Sequence, residues 1–341
     1  MPVMVTGGYL ERLPLSLVSL GVVQYAEIWD FSCDTPQTDL LYSEPSSHLS
    51  RRTFRLDDDV APFNSADMLG FIEAVGPPRV LCVWGLGVDE TILRACADSV
   101  KIYNSIDAPA LRIPPEVSRH FDLILTGADW QSDEVRRRHP NMTVEVLPIG
   151  PDFADPETFK PLGIPKDYDI VYVAAAQPYK RHDILFDALE RLPRTIRTLC
   201  VFGYGEMRGE LEARARSSGL SIDFVGPPGV PFAEVNRLMN RAEIGVVCGV
   251  DDGAPAILTE YMLAGLPVLA NAALRCGLQY ITPQTGATAT GASFHAGLAD
   301  LIDKARAMSP RDYVLGRWTW PHSARRLAEL IGQCALANAR S

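Results

Sequence analysis

The sequence predicts an α/β protein folded as two parallel-sheet domains, and three observations carry that expectation. Short apolar runs alternate with amphipathic stretches along the chain, and a run such as YDIVYVAAA is the near-continuous apolar kind that a strand buried on both faces requires. A length of 341 residues is long for one core and suits two α/β domains. Between Pro148 and Pro161 the chain becomes proline-rich, and the charge balance shifts there. Residues 1–160 carry 13 Lys and Arg against 24 Asp and Glu, whereas residues 161–341 carry 19 against 18. The expected division is 1–150 and 151–321, followed by a final helix over about 322–341.

Nearly half of the residues are hydrophobic and mean hydropathy is near zero, as in a soluble globular enzyme. No apolar run approaches the roughly 20 residues of a membrane span. The start, MPVMVTGGYLERLP, lacks a basic region followed by a long apolar one, so no signal peptide is expected. The seven cysteines are odd in number and include no C-x-x-C, which reads as reduced thiols in a cytoplasmic protein without a zinc site. An acidic first half is a poor surface for nucleic acid or anionic lipid. It suits plain solubility, or a neutral or cationic partner.

In chain order, MPVMVTGG reads as a short strand ending in a turn at Gly7 and Gly8, where glycine lets backbone approach a ligand. LPLSLVSLGVV follows as a helix and QYAEIWDFS as a strand. From Asp34 to Asn64 the chain is polar and rich in turn residues, so it reads as loop, with Asp57–Asp59 a solvated triplet. Residues 65–76 read as a helix. RVLCVW is a strand opening into Gly85-Leu86-Gly87, with a helix from near Asp89. Loops at the carboxyl ends of parallel strands bind ligands in such sheets, which singles out Trp84, Gly85 and Gly87. SVKIYN is the next strand and leads to Asn104, Ser105 and Asp107. Asp107 is a site candidate or simply a turn residue.

In the second half, YDIVYVAAA is followed by a loop and an amphipathic helix with Ile184, Leu185, Ala188 and Leu189 on its apolar face. Lys180 and Arg181 stand in that loop, where positive charge can meet a diphosphate or merely flank the helix. RTLCVFGYGEMRGELEARARSSGLSIDFVG reads as strand, Gly203-x-Gly205 turn, helix and strand. A short helix and another strand then lead to DDGAPAILTEYMLAGLPVLA. Pro255 suits a first helical turn, Gly265 ends that helix, and LPVLA is the next strand. Asp252 lies in the loop and Glu260 inside the helix, eight positions on, so both carboxylates can face one cleft at the helix N-terminus. Backbone amides there favour an anion. Carboxylates would repel a diphosphate, so hydroxyl groups of a ribose and a sugar are their expected partners. A nucleotide-sugar fits that combination.

This stretch resembles the donor site of the retaining family 4 glycosyltransferases of the GT-B fold, whose pattern is E-G-x-P-x-x-x-x-E-A-M-A-x-G-x-P-V. Gly253, Pro255, Glu260, Met262, Gly265, Pro267 and Val268 match, and Asp252 stands for the first Glu, one methylene shorter. Other family elements follow in order. The connector is Pro148, Gly150, Asp152, Phe159 and Pro161. Lys180 falls on the lysine of G-R-x-x-x-x-K-G, but its arginine falls on Ala175, so Arg181 or another cation must serve. Gly203 and Gly205, then Thr285 and Gly286, then Trp320 complete the series, with Gln279 where the family has an acid.

The resemblance implies two Rossmann-like domains facing a central cleft, with the final helix packing back on the first. It implies a donor site of Gly7, Gly8, Gly203, Gly205, Gly253, Ala254, Pro255, Glu260 and Thr285, with Lys180, Arg181, Asp252 and Asp107 near the chemistry. Trp84, Gly85, Gly87 and Asn104 become acceptor-side candidates. The expected reaction moves a sugar from a UDP or GDP sugar to a polar hydroxylated acceptor, a small molecule or glycan intermediate in carbohydrate or natural-product biosynthesis. Retention of configuration follows from the resemblance, and neither metal nor other cofactor is expected. A nucleotide-sugar epimerase of the same fold and a catalytically weak donor-binding protein stay open as alternatives, and a homodimer is compatible with the reading.

Overall fold

The computed structural model describes residues 3–33 and 41–339, the side chains of the second stretch from residue 46 onward. The chain divides into two compact units, Met1–Phe153 with Trp320–Ser341, and Ala154–Thr319.

The first unit begins with α1 (Tyr9–Ser19), β1 (Ala26–Ser32), β2 (Leu41–Ser46), β3 (Leu49–Arg55) and α2 (Ala66–Val75). It continues through β4 (Val80–Trp84), α3 (Glu90–Ala95), β5 (Val100–Asn104), α4 (Pro115–Ser118), β6 (Leu123–Thr126), α5 (Asp129–Arg138) and β7 (Thr143–Val146). β4, β5, β6 and β7 form a parallel sheet in that order. β1, β3 and β2 form a separate sheet, with β3 parallel to β1 and antiparallel to β2. Leu13 and Leu17 of α1 bury against Leu327, Leu330 and Ile331 of the helix Trp320–Asn338, so the last residues of the chain close the core of the first.

Two expectations fail in this unit. Residues 3–6 form no ladder with any described strand, although Val5 is buried. The polar stretch read as loop contains β2 and β3; residues 34–40 lie outside the described ones. Its charges hid the strand. Arg51 pairs with Glu11 and Asp30 at 2.9 and 2.6 Å and Arg52 with Glu27 at 2.9 Å, while Leu49 and Phe54 turn inward.

The second unit comprises β8 (Tyr168–Val173), α6 (His182–Leu189), β9 (Thr198–Val201), α7 (Arg208–Ser217), β10 (Ile222–Val225) and α8 (Phe232–Asn240). There follow β11 (Ala242–Val247), α9 (Ile257–Leu263), β12 (Val268–Asn271), β13 (Gly286–Ala289), α10 (Phe294–Lys304) and α11 (Pro310–Leu315), after which α12 (Trp320–Asn338) belongs to the first unit. Its six strands are all parallel, in the order β10-β9-β8-β11-β12-β13. Helices α6, α7 and α10 cover one face; α8, α9 and α11 cover the other. Such two-sided cover is what continuous apolar strands such as β8 and β11 require. α9 packs so closely that a Cβ on Gly245 would stand 2.5 Å from the Tyr261 ring, and the Tyr261 hydroxyl accepts from Val173 N at 2.6 Å.

Candidate active site

From β8 the chain winds outward through β9 and β10, and from β11 through β12 and β13 on the other side, so strand order reverses between β8 and β11. Loops leaving the carboxyl ends of strands diverge at such a point and open a crevice for ligands. Lys180 follows β8 and Asp252 follows β11, and they meet across it: Lys180 Nζ donates to Asp252 Oδ2. Only 16% of the lysine side chain and 14% of the aspartate are exposed.

Neighbouring loops brace the pair. A 3-10 turn at Pro178–Lys180 carries the lysine, whose Nζ also lies 4.8 Å from the centre of the Tyr179 ring. The Tyr179 hydroxyl is 3.1 Å from that of Tyr204, in the loop after β9. A Cβ on Gly249 would stand 3.3 Å from the Tyr179 carbonyl oxygen, which brings the β8 and β11 loops close together. On the other side Gly253 bridges Cys276, and Arg275 Nη1 lies 3.8 Å from Asp251. Ala254 holds φ +61, a conformation costly for a residue with a Cβ and concentrated at ligand sites. Gly205, at φ +114, is required outright, since a Cβ there would lie 2.4 Å from the Ala176 carbonyl oxygen. Gly203 stands beside it, approached within 3.1 Å by a Cβ built on Gly229.

Other candidates fall elsewhere. Arg181 does not join Lys180: its guanidinium is held by Asp183 at 2.7 Å, a contact that raises its pKa further. Thr285 is fully buried and its hydroxyl donates to the Tyr280 carbonyl at 2.6 Å, which ties its own turn. Glu260 is buried in α9, and Pro255 opens the turn before that helix.

In the first unit, Gly7 (φ +94) and Gly8 start α1, with Gly8 N donating to Glu11 at 2.9 Å. Trp84, Gly85 (φ +64) and Gly87 (φ +76) end β4. Asn104 pairs in register with Trp84, and its buried amide finds no hydrogen-bond partner among the described residues. Asp107 faces Arg112 at 3.6 Å. Sequence reading missed His182, which follows Arg181. Its ring is buried between Tyr172 and Phe202, at 4.8 and 5.5 Å, and burial lowers its pKa to about 4.

Among the described residues no group of three or more His, Cys, Asp and Glu could hold a metal ion. No helix among them is long and apolar enough to cross a membrane.

These two parallel-sheet units have the GT-B fold of glycosyltransferases, with Rossmann-like domains. Solved structures with this architecture include sucrose-phosphate synthase from Thermosynechococcus elongatus, at TM-score 0.74 and 18% identity, covering 97% of this chain and 94% of that one. Anabaena Alr3699/HepE in complex with UDP and glucose aligns at TM-score 0.67 and 12% identity, over 91% and 99%. The pneumococcal O-GlcNAc transferase GtfA in complex with UDP and GlcNAc aligns at 0.62 and 11%, over 80% of this chain; the chain spans 61% of that protein's length. Residues 154–309, most of the second unit, match the family model described as "Glycosyl transferases group 1". That match lies wholly within the second unit. No curated protein matches the sequence.

Proposed function

We propose that the protein is a retaining glycosyltransferase that moves a sugar from a nucleoside diphosphate sugar to an acceptor hydroxyl. The observation that carries this reading is the Lys180–Asp252 pair at the switch point of the unit that matches the glycosyl transferases group 1 family model. An arriving diphosphate competes with Asp252 for the lysine. Lys180 then turns to the phosphate oxygens, and the freed carboxylate is left to accept from sugar hydroxyls. Glu260 serves the ribose, and the backbone from Gly253 and Ala254 lines the diphosphate.

In the reaction the bond between the anomeric carbon and the phosphate oxygen breaks, and its electron pair stays on the departing diphosphate. The acceptor oxygen bonds to the same face of that carbon, and its proton passes to the departing phosphate oxygen. Lys180 stabilises the charge that develops, the kind of preorganised electrostatic help that dominates many enzymes. Soluble, metal-independent action in the cytoplasm on a polar hydroxylated acceptor completes the proposal, with UDP or GDP as the nucleotide.

A thermal-shift screen against UDP, GDP, ADP and TDP tests the donor site. A nucleotide at about 100 times its dissociation constant adds roughly 2.7 kcal/mol. One of the four should stabilise the wild type and lose most of that effect in Glu260→Gln. Stabilisation by none of them removes the donor site from the second unit.

A further inference from the structure

A nucleoside diphosphate carries several negative charges, and the crevice between β8 and β11 needs more than one cation to hold it. Lys180 is neutralised by Asp252, and Asp251 beside that residue adds a further carboxylate. Among the described residues, the loops at the carboxyl ends of this sheet carry few other cations. Arg181 stands after β8, Arg208 opens α7 after β9 and Arg275 stands after β12, while the loops after β10, β11 and β13 hold no lysine or arginine. Arg181 is committed to Asp183. Arg208 is committed to Glu212, at 2.8 Å, and to the Gly226 carbonyl. Arg275 is the cation whose loop runs along the loop of Asp252.

Backbone contacts fix that course. Arg275 N donates to the Val250 carbonyl at 3.0 Å, and the next residue, Cys276, bridges Gly253. Gly277 then passes so close to the turn before α9 that a Cβ on it would lie 3.6 Å from the Ala254 Cα and 2.6 Å from Leu258 Cδ1. Residues 275–277 are therefore held against residues 250–254. The arginine faces Asp251, the immediate neighbour of the residue that holds Lys180.

We propose that Arg275 is the second cation of the diphosphate site, and that Asp251 holds it in place until the nucleotide arrives. The inference rests on the donor-site reading given above and adds a residue to it. The two side chains are 3.8 Å apart and 45% and 69% exposed, and an ion pair that long and that exposed contributes little. A planar guanidinium gains more from the fixed oxygens of a phosphate, which it can meet through two parallel hydrogen bonds. The crevice thus keeps both cations in the same way, each beside an aspartate, at consecutive positions of one loop. Binding exchanges carboxylate for phosphate at both.

Titration with whichever of UDP, GDP, ADP and TDP stabilises the wild type, set against its own nucleoside, tests the proposal. The free diphosphate is the sharper probe, because it carries more negative charge than its sugar ester. Arg275→Met should weaken the diphosphate about 10-fold or more and leave the nucleoside within about 2-fold. Arg181→Met should weaken neither by more than about 2-fold. Asp251→Asn should tighten the diphosphate by about 3-fold, and that gain should vanish in the double variant with Arg275→Met. Diphosphate binding unchanged in Arg275→Met overturns the inference and leaves the donor site standing. Equal loss of diphosphate and nucleoside makes Arg275 a brace of its loop and overturns it too, as does a gain in Asp251→Asn that survives without Arg275. If no nucleotide binds the wild type, the donor-site reading falls and takes Arg275 with it.

Discussion

Lys180 and Asp252 neutralise each other inside the fold, so removing one leaves the other charged, largely buried and unpaired. Lys180→Met should cut turnover on the order of 100-fold or more, read as nucleotide release with a fixed donor. Arg181→Met should cost less than about 10-fold, because Asp183 already holds that guanidinium. Gly205→Ala forces a Cβ onto the Ala176 carbonyl and should cost about 2 kcal/mol or more in thermal denaturation. His182 adds a pH term. Its folded pKa of about 4 lies below the ordinary 6.5, so both states are neutral above pH 6.5. Between pH 6.5 and 4 only the unfolded chain takes up the proton, and stability falls by up to about 3 kcal/mol before levelling off. His182→Phe, which suits a slot between Tyr172 and Phe202, should abolish that component of a pH-dependent melt. Lys180, Asp252 and Gly205 were each legible in the sequence because they sit at short, fixed offsets from the ends of apolar strands. Their mutual placement was not, since it depends on a sheet order that joins residues 72 positions apart. The Arg181–Asp183 pair, by contrast, was there to be read two residues along the chain.

At the scale of elements, the second unit was the readable one because its central strands β8, β9, β11 and β12 are buried on both faces and therefore announce themselves as apolar runs. β3 lacks that signature. Its arginines Arg51 and Arg52 are taken up in ion pairs, Ser50 is buried with its hydroxyl donating to Glu27, and Leu49 and Phe54 are its only buried apolar residues, which gives SSHLSRRTFR the composition of a loop. Phe54 packs at 5.5 Å from Trp29 and 5.6 Å from Phe71. Phe54→Ala should therefore cost about 3–5 kcal/mol in denaturant unfolding, where a loop residue would cost within about 0.5 kcal/mol. The expected N-terminal strand failed for another reason. An apolar pattern specifies which way side chains turn, as Val5 does, but a ladder also needs a partner edge in register.

For the whole molecule, the first unit is made of two separated stretches of sequence, and α12 supplies Leu327, Leu330 and Ile331 to a core begun by α1. A chain ending at Thr319 should keep the cooperative melt of the second unit and lose that of the first, giving two separate calorimetric transitions or one missing one. Family motifs were readable in the second unit, whereas the first unit offered only strand ends and glycines, and its split sheet has no local signature at all.

That discontinuity also fixes an order of events on the ribosome. By the time Thr319 is out of the exit tunnel, the sheet that carries Lys180 and Asp252 has all of its residues, while the unit synthesised first still waits for its last helix. The unit begun by α1 can finish folding only when α12 has been made. A frameshift reaching codons 320–341 would strike the unit made earlier and spare the one made later.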